Sequence, residues 1–297
     1  MMAGHVRWPA DNPVWEFDWR LSAPPDSEGI AFTHVYYKGH EVLYKASLPM
    51  IRVQYDPLLI FGRPTAAGPY KDSLHAFNLK VVGAIPLTFA PPVAYEATSW
   101  GIRFMVVEST HRIGHYRLTN RWLFREDGVI QPQLYSAGLQ FPSNHRHHVY
   151  WRFDFDIDGN HSDLALNRLD WWPLDWGFGK HWHPITEESY HHRPVSSGFR
   201  VLDTKTGRGY EIAPGPFDGE SDDFSSEDFW VFRYHDNEDR RGAIGTPSDD
   251  QLFPMINNEP TGGQDVVVWY VAHLNHEAAE GGDEWHVCGP IIKPFGF

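Results

Sequence analysis

The sequence predicts an all-β chain, a large antiparallel β-sandwich, and three observations carry that expectation. Aromatic residues make up 15% of its 297 residues, and 26 Gly and 23 Pro interrupt the chain so often that long helices have little room. Strand-like runs, some alternating and some wholly apolar, recur along the chain, with short turn signals between them. Thr33–Tyr37 is the first run, and it ends at Lys38-Gly39, a dipeptide suited to a tight hairpin. Leu43–Val53 returns from that turn. Ile102–Glu108 and Tyr116–Phe124 follow, the second closing on Glu126-Asp127-Gly128. His148–Phe155 leads to the loop tip Asp158-Gly159-Asn160, and Phe229–Tyr234 and Val266–Leu274 complete the set. No linker divides the chain, so residues 1–297 read as one domain.

Composition excludes several classes. With 25 Lys+Arg against 39 Asp+Glu the formal charge is −14, which argues against a nucleic-acid partner. At 41% hydrophobic residues the chain has enough to bury a core, and disorder as a whole-chain state is ruled out. No apolar run reaches the roughly 18 residues of a membrane span, and the start of the chain has no apolar signal core. A cytoplasmic protein without membrane contact is expected. There is no phosphate loop, dinucleotide-binding pattern or solenoid repeat. The acidic stretch Asp218–Asp228 reads as a solvated surface loop.

A single cysteine, Cys288, excludes an intrachain disulfide and any Cys-rich metal site, and reads as a small buried hydrophobe. Metal chemistry would rest on the 18 His, which are clustered. Alternate residues of a strand share a face, so His145 and His147 can offer two imidazoles to one ion while Arg146 points away. Imidazole suits Cu, Zn, Fe and Ni alike, so the pair does not name its metal. His181-Trp182-His183 has the same pattern.

Context separates the two pairs. Asn144-His145-Arg146-His147 followed by Arg152-Phe153-Asp154-Phe155-Asp156-Ile157-Asp158-Gly159 resembles the copper amine oxidase family, whose catalytic domain carries H-x-H before an R-[LF]-D-F-D-I-D-G strand end. Asp265-Val266-Val267-Val268-Trp269-Tyr270 resembles the D-x-V-x-W-Y strand that precedes the family's third ligand, and His273 is matched to that ligand. Further likeness lies in Leu43-Tyr44-Lys45-Ala46-Ser47-Leu48, Tyr55-Asp56-Pro57, Gly209-Tyr210-Glu211 with Pro214-Gly215-Pro216, Phe229-Trp230-Val231 with Tyr234, and Lys293-Pro294-Phe295-Gly296-Phe297. The matches cover the catalytic domain of the family only. The resemblance implies a β supersandwich, a homodimer, O2 and a small-molecule substrate, and Cu(II) held by His145, His147 and His273. It also implies a peripheral calcium site from Asp154, the Phe155 carbonyl, Asp156, Asp265 and the Val266 carbonyl, and hard oxygen ligands suit Ca(II).

The family converts a tyrosine in T-x-x-N-Y-[DE] to topaquinone. Spacing back from Trp122 and Gly128 places Tyr116 at that position, and Tyr55 matches the tyrosine that hydrogen-bonds the quinone oxygen. Here the flanking Asn and acid are His115 and Arg117, the neighbours that would orient the ring. The family's catalytic Asp, in an F-D-x-G-E-Y setting, has no counterpart: the chain is shortened after Tyr55, and counting back from Asp72 puts Phe61 at that position. General-base catalysis contributes about 10²–10⁴-fold, so ordinary amine oxidation should be nearly silent. The leading reading is thus a copper-dependent oxidase without standard topaquinone chemistry. A compact topaquinone amine oxidase making aldehyde, NH3 and H2O2 is the alternative, and a non-catalytic copper-binding relic a further one. His181, His183, His191 and His192 are expected in a loop or at a subunit interface. His276 and His286 are expected to be solvated, and Trp171-Trp172-Pro173 to supply interface or core surface.

Overall fold

The computed structural model describes residues 2–22, 28–57, 59–60, 63–64, 68–72, 74, 90–171, 177, 179, 181–193, 197–219, 227–236, 238 and 252–297. All seven expected runs fold as strands, most of them extended by a few residues. The strands are β1 (Ala3–Trp8), β2 (Trp15–Leu21), β3 (Ile30–Tyr37), β4 (His40–Tyr55), β5 (Leu59–Ile60), β6 (Arg63–Pro64), β7 (Tyr70–Asp72), β8 (Ala90–Ser99), β9 (Ile102–Ile113), β10 (Tyr116–Arg125) and β11 (Ile130–Ala137). They continue as β12 (His145–Phe155), β13 (Asp163–Arg168), β14 (Trp182–Ile185), β15 (Ser189–His191), β16 (Phe199–Asp203), β17 (Gly209–Ala213), β18 (Phe229–Arg233), β19 (Val266–His276), β20 (His286–Cys288) and β21 (Ile291–Phe295). Only two short 3₁₀ turns, at Phe253–Met255 and Ala278–Glu280, are helical among the described residues.

Two antiparallel sheets face each other. The first runs β1-β2-β3-β4-β12-β19-β18-β15, with β7 added to β4. The second runs β14-β13-β16-β17-β21-β11-β10-β9-β8, with β20 added to β11. Lys38 and Gly39 join β3 to β4 with both φ values positive, 51° and 81°. That is the left-handed pair a two-residue hairpin turn requires.

Aromatic side chains fill the space between the sheets. Phe17 stacks on Phe124 at 4.3 Å between ring centroids, and Phe32 lies 4.9 Å from Trp122 and 5.1 Å from Phe124. Each such ring contributes roughly 1.5–3 kcal/mol on burial. The first sheet is covered on its other side too, where Tyr150, Trp230, Trp269 and Val271 pack with Leu252 and Met255. This second layer explains why the β12 and β19 sequences do not alternate: both faces are buried, so both read as apolar.

The acidic stretch departs from expectation at both ends. Asp218 and Asp228 are buried, not solvated. Asp218 accepts bonds from the Tyr270 hydroxyl (2.6 Å), the Gly215 N–H (2.8 Å) and the Gly289 N–H (2.6 Å), so the carboxylate replaces water for three buried donors. Residues 220–226 lie outside the described set.

Candidate metal centre

The central strand β12 has β4 on one side and β19 on the other, and cross-strand partners share a face. His145 lies opposite Tyr55 of β4 and His276 of β19, and His147 lies opposite Val53 and Leu274. Tyr55, His145, His147 and His276 therefore all point between the sheets. Tyr116, the first residue of β10 in the facing sheet, meets them there. Its ring centroid is 5.3 Å from that of His145 and 5.0 Å from that of His147, and its hydroxyl is hydrogen-bonded to that of Tyr55.

His273 does not join this group. Three residues before His276, it occupies the opposite parity of β19 and pairs in register with His148. Both face outward, with ring centroids 5.0 Å apart, and His273 Nε2 donates to Asp228 Oδ1 at 2.9 Å. The same carboxylate accepts from Arg193 Nε at 3.0 Å. Period-two alternation thus overturns the expected third ligand: the imidazole on the face of His145 and His147 is His276. It is 2% exposed, where a solvated residue was expected. The signal in the sequence was parity within the Val266–His276 run, which counts only once the register with β12 is known.

The tautomers are set by the second nitrogen of each ring. His145 Nδ1 donates to the Ser143 carbonyl (3.4 Å), His276 Nε2 to the Gly281 carbonyl (2.9 Å), and His147 Nε2 contacts Ser136 Oγ (3.4 Å). Left over are His145 Nε2, His147 Nδ1 and His276 Nδ1, all buried without a hydrogen-bond partner. His286, from β20, adds a fourth ring 4.3 Å from His276, with its Nε2 3.5 Å from Glu280 Oε2. Burial and neighbouring imidazoles lower the His145 pKa to about 4 and push His147 well below its ordinary value. Both rings are thus neutral, the state a metal ligand needs. A buried polar atom without a partner is costly, and an orienting bond on the opposite ring nitrogen is what metal-binding imidazoles carry. The residues fit a transition-metal ion.

Burial, the neighbouring Tyr55 and Asp72 hold the Tyr116 phenol protonated, its pKa raised far above 10. Burial likewise raises Tyr55. A phenolate at Tyr116 would need a cation beside it. Asp72, paired with Ile51 through β7, also faces inward, and burial lifts its carboxyl to about 7. Phe61 lies outside the described residues.

His115 and Arg117 flank Tyr116 in sequence and, by strand alternation, turn away from it. His115 is exposed, and Arg117 donates to the Gly282 carbonyl (3.1 Å) and pairs with Asp283 (3.3 Å). Both line a surface basin of about 330 Å³ with Arg112, Gly138, Leu139 and Gly282. Neither reaches the ring it was expected to orient. Gly138 is required here: its φ is +114°, and a Cβ would sit 2.2 Å from the His115 carbonyl oxygen.

The acids expected to bind calcium gather at the other end of β12, about 30 Å away by strand rise. Phe155 pairs with Val266, which brings Asp154, Asp156 and Asp265 together. Burial and their mutual repulsion raise Asp154 and Asp156 to about 7 each, against the lowering effect of Arg152 on Asp154. Asp163 completes the cluster and was missed in the sequence; burial and Asp156, Asp203 and Asp265 lift it to about 9. The other histidine clusters lie elsewhere. His183 is on β14 and His191 on β15, the edge strands of the two sheets. Trp171 is exposed, and Trp172 and Pro173 lie outside the described residues.

This architecture is that of the copper amine oxidase catalytic domain. The chain superimposes on a copper-containing benzylamine oxidase from Hansenula polymorpha with a TM-score of 0.66 and 18% identity, over 95% of this chain and 59% of that one. A lysyl oxidase from Pichia pastoris gives 0.63 and 14%, and an amine oxidase from Aspergillus nidulans 0.63 and 17%, each over 95% of this chain and 51% of the other. The chain thus spans between about half and three-fifths of the length of these proteins, and the likeness is one of fold. No protein-family profile and no curated protein sequence matches it. No helix among the described residues is long and apolar enough to cross a membrane.

Proposed function

We propose that the protein is a copper-dependent oxidoreductase that uses O2 on a small-molecule substrate, with copper held by His145, His147 and His276. The observation that carries this reading is the placement of these three buried imidazoles on one inward face, each with one nitrogen lacking a hydrogen-bond partner, beside the hydrogen-bonded Tyr116–Tyr55 pair. Bound there, copper supplies one-electron chemistry with O2. The chain's own groups do the rest: Tyr55 fixes the Tyr116 hydroxyl, the sheets exclude water, and Asp72 is a buried carboxyl that can hold or release a proton near neutral pH. A peripheral Ca(II) bound by Asp154, Asp156 and Asp265, with the Phe155 and Val266 carbonyls, is a separate structural proposal. A homodimer is the expected assembly.

The position of Tyr116 beside His145 and His147 also favours a second reading, a compact topaquinone amine oxidase. The two are separated by titrating copper-loaded, aerated protein with phenylhydrazine and mapping the peptide Arg112–Arg121 by mass. An unmodified Tyr116 with copper bound supports the first reading. A coloured adduct on Tyr116 supports the second. Absence of copper binding overturns both.

A further inference from the structure

The family-like ligand set has three histidines, yet a fourth imidazole and a carboxylate stand beside it. Three independent features bring them there. First, the loop after β19 is pinned at both ends of its course: Asn144 Oδ1 accepts the Ala278 N–H at 2.9 Å, and Arg117 holds the Gly282 carbonyl and Asp283. Glu277 and Glu280 cap the short 3₁₀ turn between these anchors, each side chain accepting from the other's end of the turn. Second, β20 pairs with β11 so that His286 lies directly opposite Ser136. Ser136 is the residue whose hydroxyl contacts His147, so the register aims His286 at the same space from the facing sheet. Third, ligand atoms of His276, Glu280 and His286 all lie within 4.8 Å of one another, His276 Nδ1 is buried without a hydrogen-bond partner, and His286 Nε2 lies 3.5 Å from Glu280 Oε2.

Resting on the copper reading above, we propose that His286 is a fourth imidazole ligand of the ion held by His145, His147 and His276, with the Glu280 carboxylate at its edge. Four nitrogen donors suit the tetragonal preference of Cu(II). Three of these ligands come from the paired central strands β12 and β19, whereas His286 comes from a three-residue strand on the other sheet. Small ligands must then compete with His286 for the position that a three-histidine site would leave open. This gives Arg117 a task as well: it holds the loop that delivers His286 and stands away from the Tyr116 ring.

The test is X-band EPR and azide titration of protein loaded with one equivalent of Cu(II), comparing wild type with His286→Ala, Glu280→Gln and His145→Ala. The expected result is a wild-type signal with the hyperfine pattern of four nitrogen donors and weak azide binding. In His286→Ala, copper affinity should fall at least about 10-fold, azide should bind more tightly, and added imidazole should restore the wild-type spectrum. The imidazole rescue separates ligand loss from misfolding. A His286→Ala spectrum identical to wild type, while His145→Ala loses copper, overturns the proposal and leaves the three-histidine site standing. A second copper taken up when Cu(II) is added in excess, and lost in His286→Ala with the first signal unchanged, also overturns it, since His276, Glu280 and His286 would then hold an ion of their own. Retention of copper with an unchanged spectrum in His145→Ala defeats the underlying reading itself.

Discussion

The two faces of β12 carry the same residue type to different ends. On the outer face, His148 packs against His273, His273 bonds Asp228, and the carboxylate is neutralised inside the fold by Arg193. On the inner face, His145, His147 and His276 are oriented by uncharged carbonyl and hydroxyl oxygens, and one nitrogen of each ring is left buried without a hydrogen-bond partner. A histidine whose partner is a carboxylate already balanced by arginine is part of the scaffold. One that is oriented by a neutral acceptor and left open on its other nitrogen awaits a cation. The contrast separates the proposed ligands from the scaffold where the H-x-H spacing alone could not.

The largest effect expected from this contrast is on metal binding. His145→Ala, His147→Ala and His276→Ala should each weaken copper binding beyond the about 10–100-fold that loss of a merely supporting partner costs, whereas His273→Ala should leave it unchanged. Copper content after dialysis against a graded chelator checks this. If His273→Ala loses copper and His276→Ala keeps it, the two faces have been assigned the wrong way round.

The outer face should answer in stability instead. Asp228→Asn strands the largely buried Arg193 and should cost about 3–5 kcal/mol in urea unfolding. Burial pushes the Asp228 pKa up, but the bond from His273 and the charge of Arg193 outweigh it, so the folded value lies below the ordinary one. The stabilisation is therefore present above about pH 4, and the gap between variant and wild type should close as pH falls below that. A gap that persists undiminished at pH 2 would mean that the ion pair is not its source.

Much of this was legible in the sequence, and the failures share a cause. Seven strands and the His145–His147 pair followed from alternation and spacing, which are local. The match of His273 to the third ligand rests on sequence likeness, whereas alternation fixes which residues of β19 share a face and only its pairing with β12 fixes which face looks inward. Asp218 and Asp228 failed similarly: a polar run of acids resembles a solvated loop until Tyr270, His273 and Arg193, far away in sequence, come to meet it. His115 and Arg117 adjoin Tyr116 in sequence, and adjacency along extended chain places side chains on opposite faces.

Within the inner face, Asp72 provides a sharper contrast, because it is a carboxyl with no arginine described beside it. Burial raises its pKa to about 7, so the stability it allows is fully present below about pH 4 and is lost as pH rises through 7. Asp72→Asn, which mimics the protonated form, should match wild type near pH 4. It should exceed wild type by up to about 4 kcal/mol above pH 8, the full linkage for such a shift. Thermal melts across that range check it, and parallel curves for the two proteins would show that Asp72 does not titrate in this window.

The smallest effect belongs to Tyr55, and it tests whether the phenol pair is part of the site or of the core. Tyr55→Phe keeps the ring that lies 5.3 Å from His145 and removes only the hydroxyl bonded to Tyr116. The Tyr116 hydroxyl loses this bond but keeps a backbone hydrogen bond from Gln140, so the cost should be about 0.5–1.5 kcal/mol. Copper affinity should hardly change, because Tyr55 is no ligand. Any chemistry at Tyr116 should change, because the bond that aims its oxygen is gone while burial still opposes its ionisation. In the phenylhydrazine experiment, an adduct yield equal to wild type in a copper-loaded Tyr55→Phe protein would assign the pair to packing. A lower yield at equal copper content would assign it to the site.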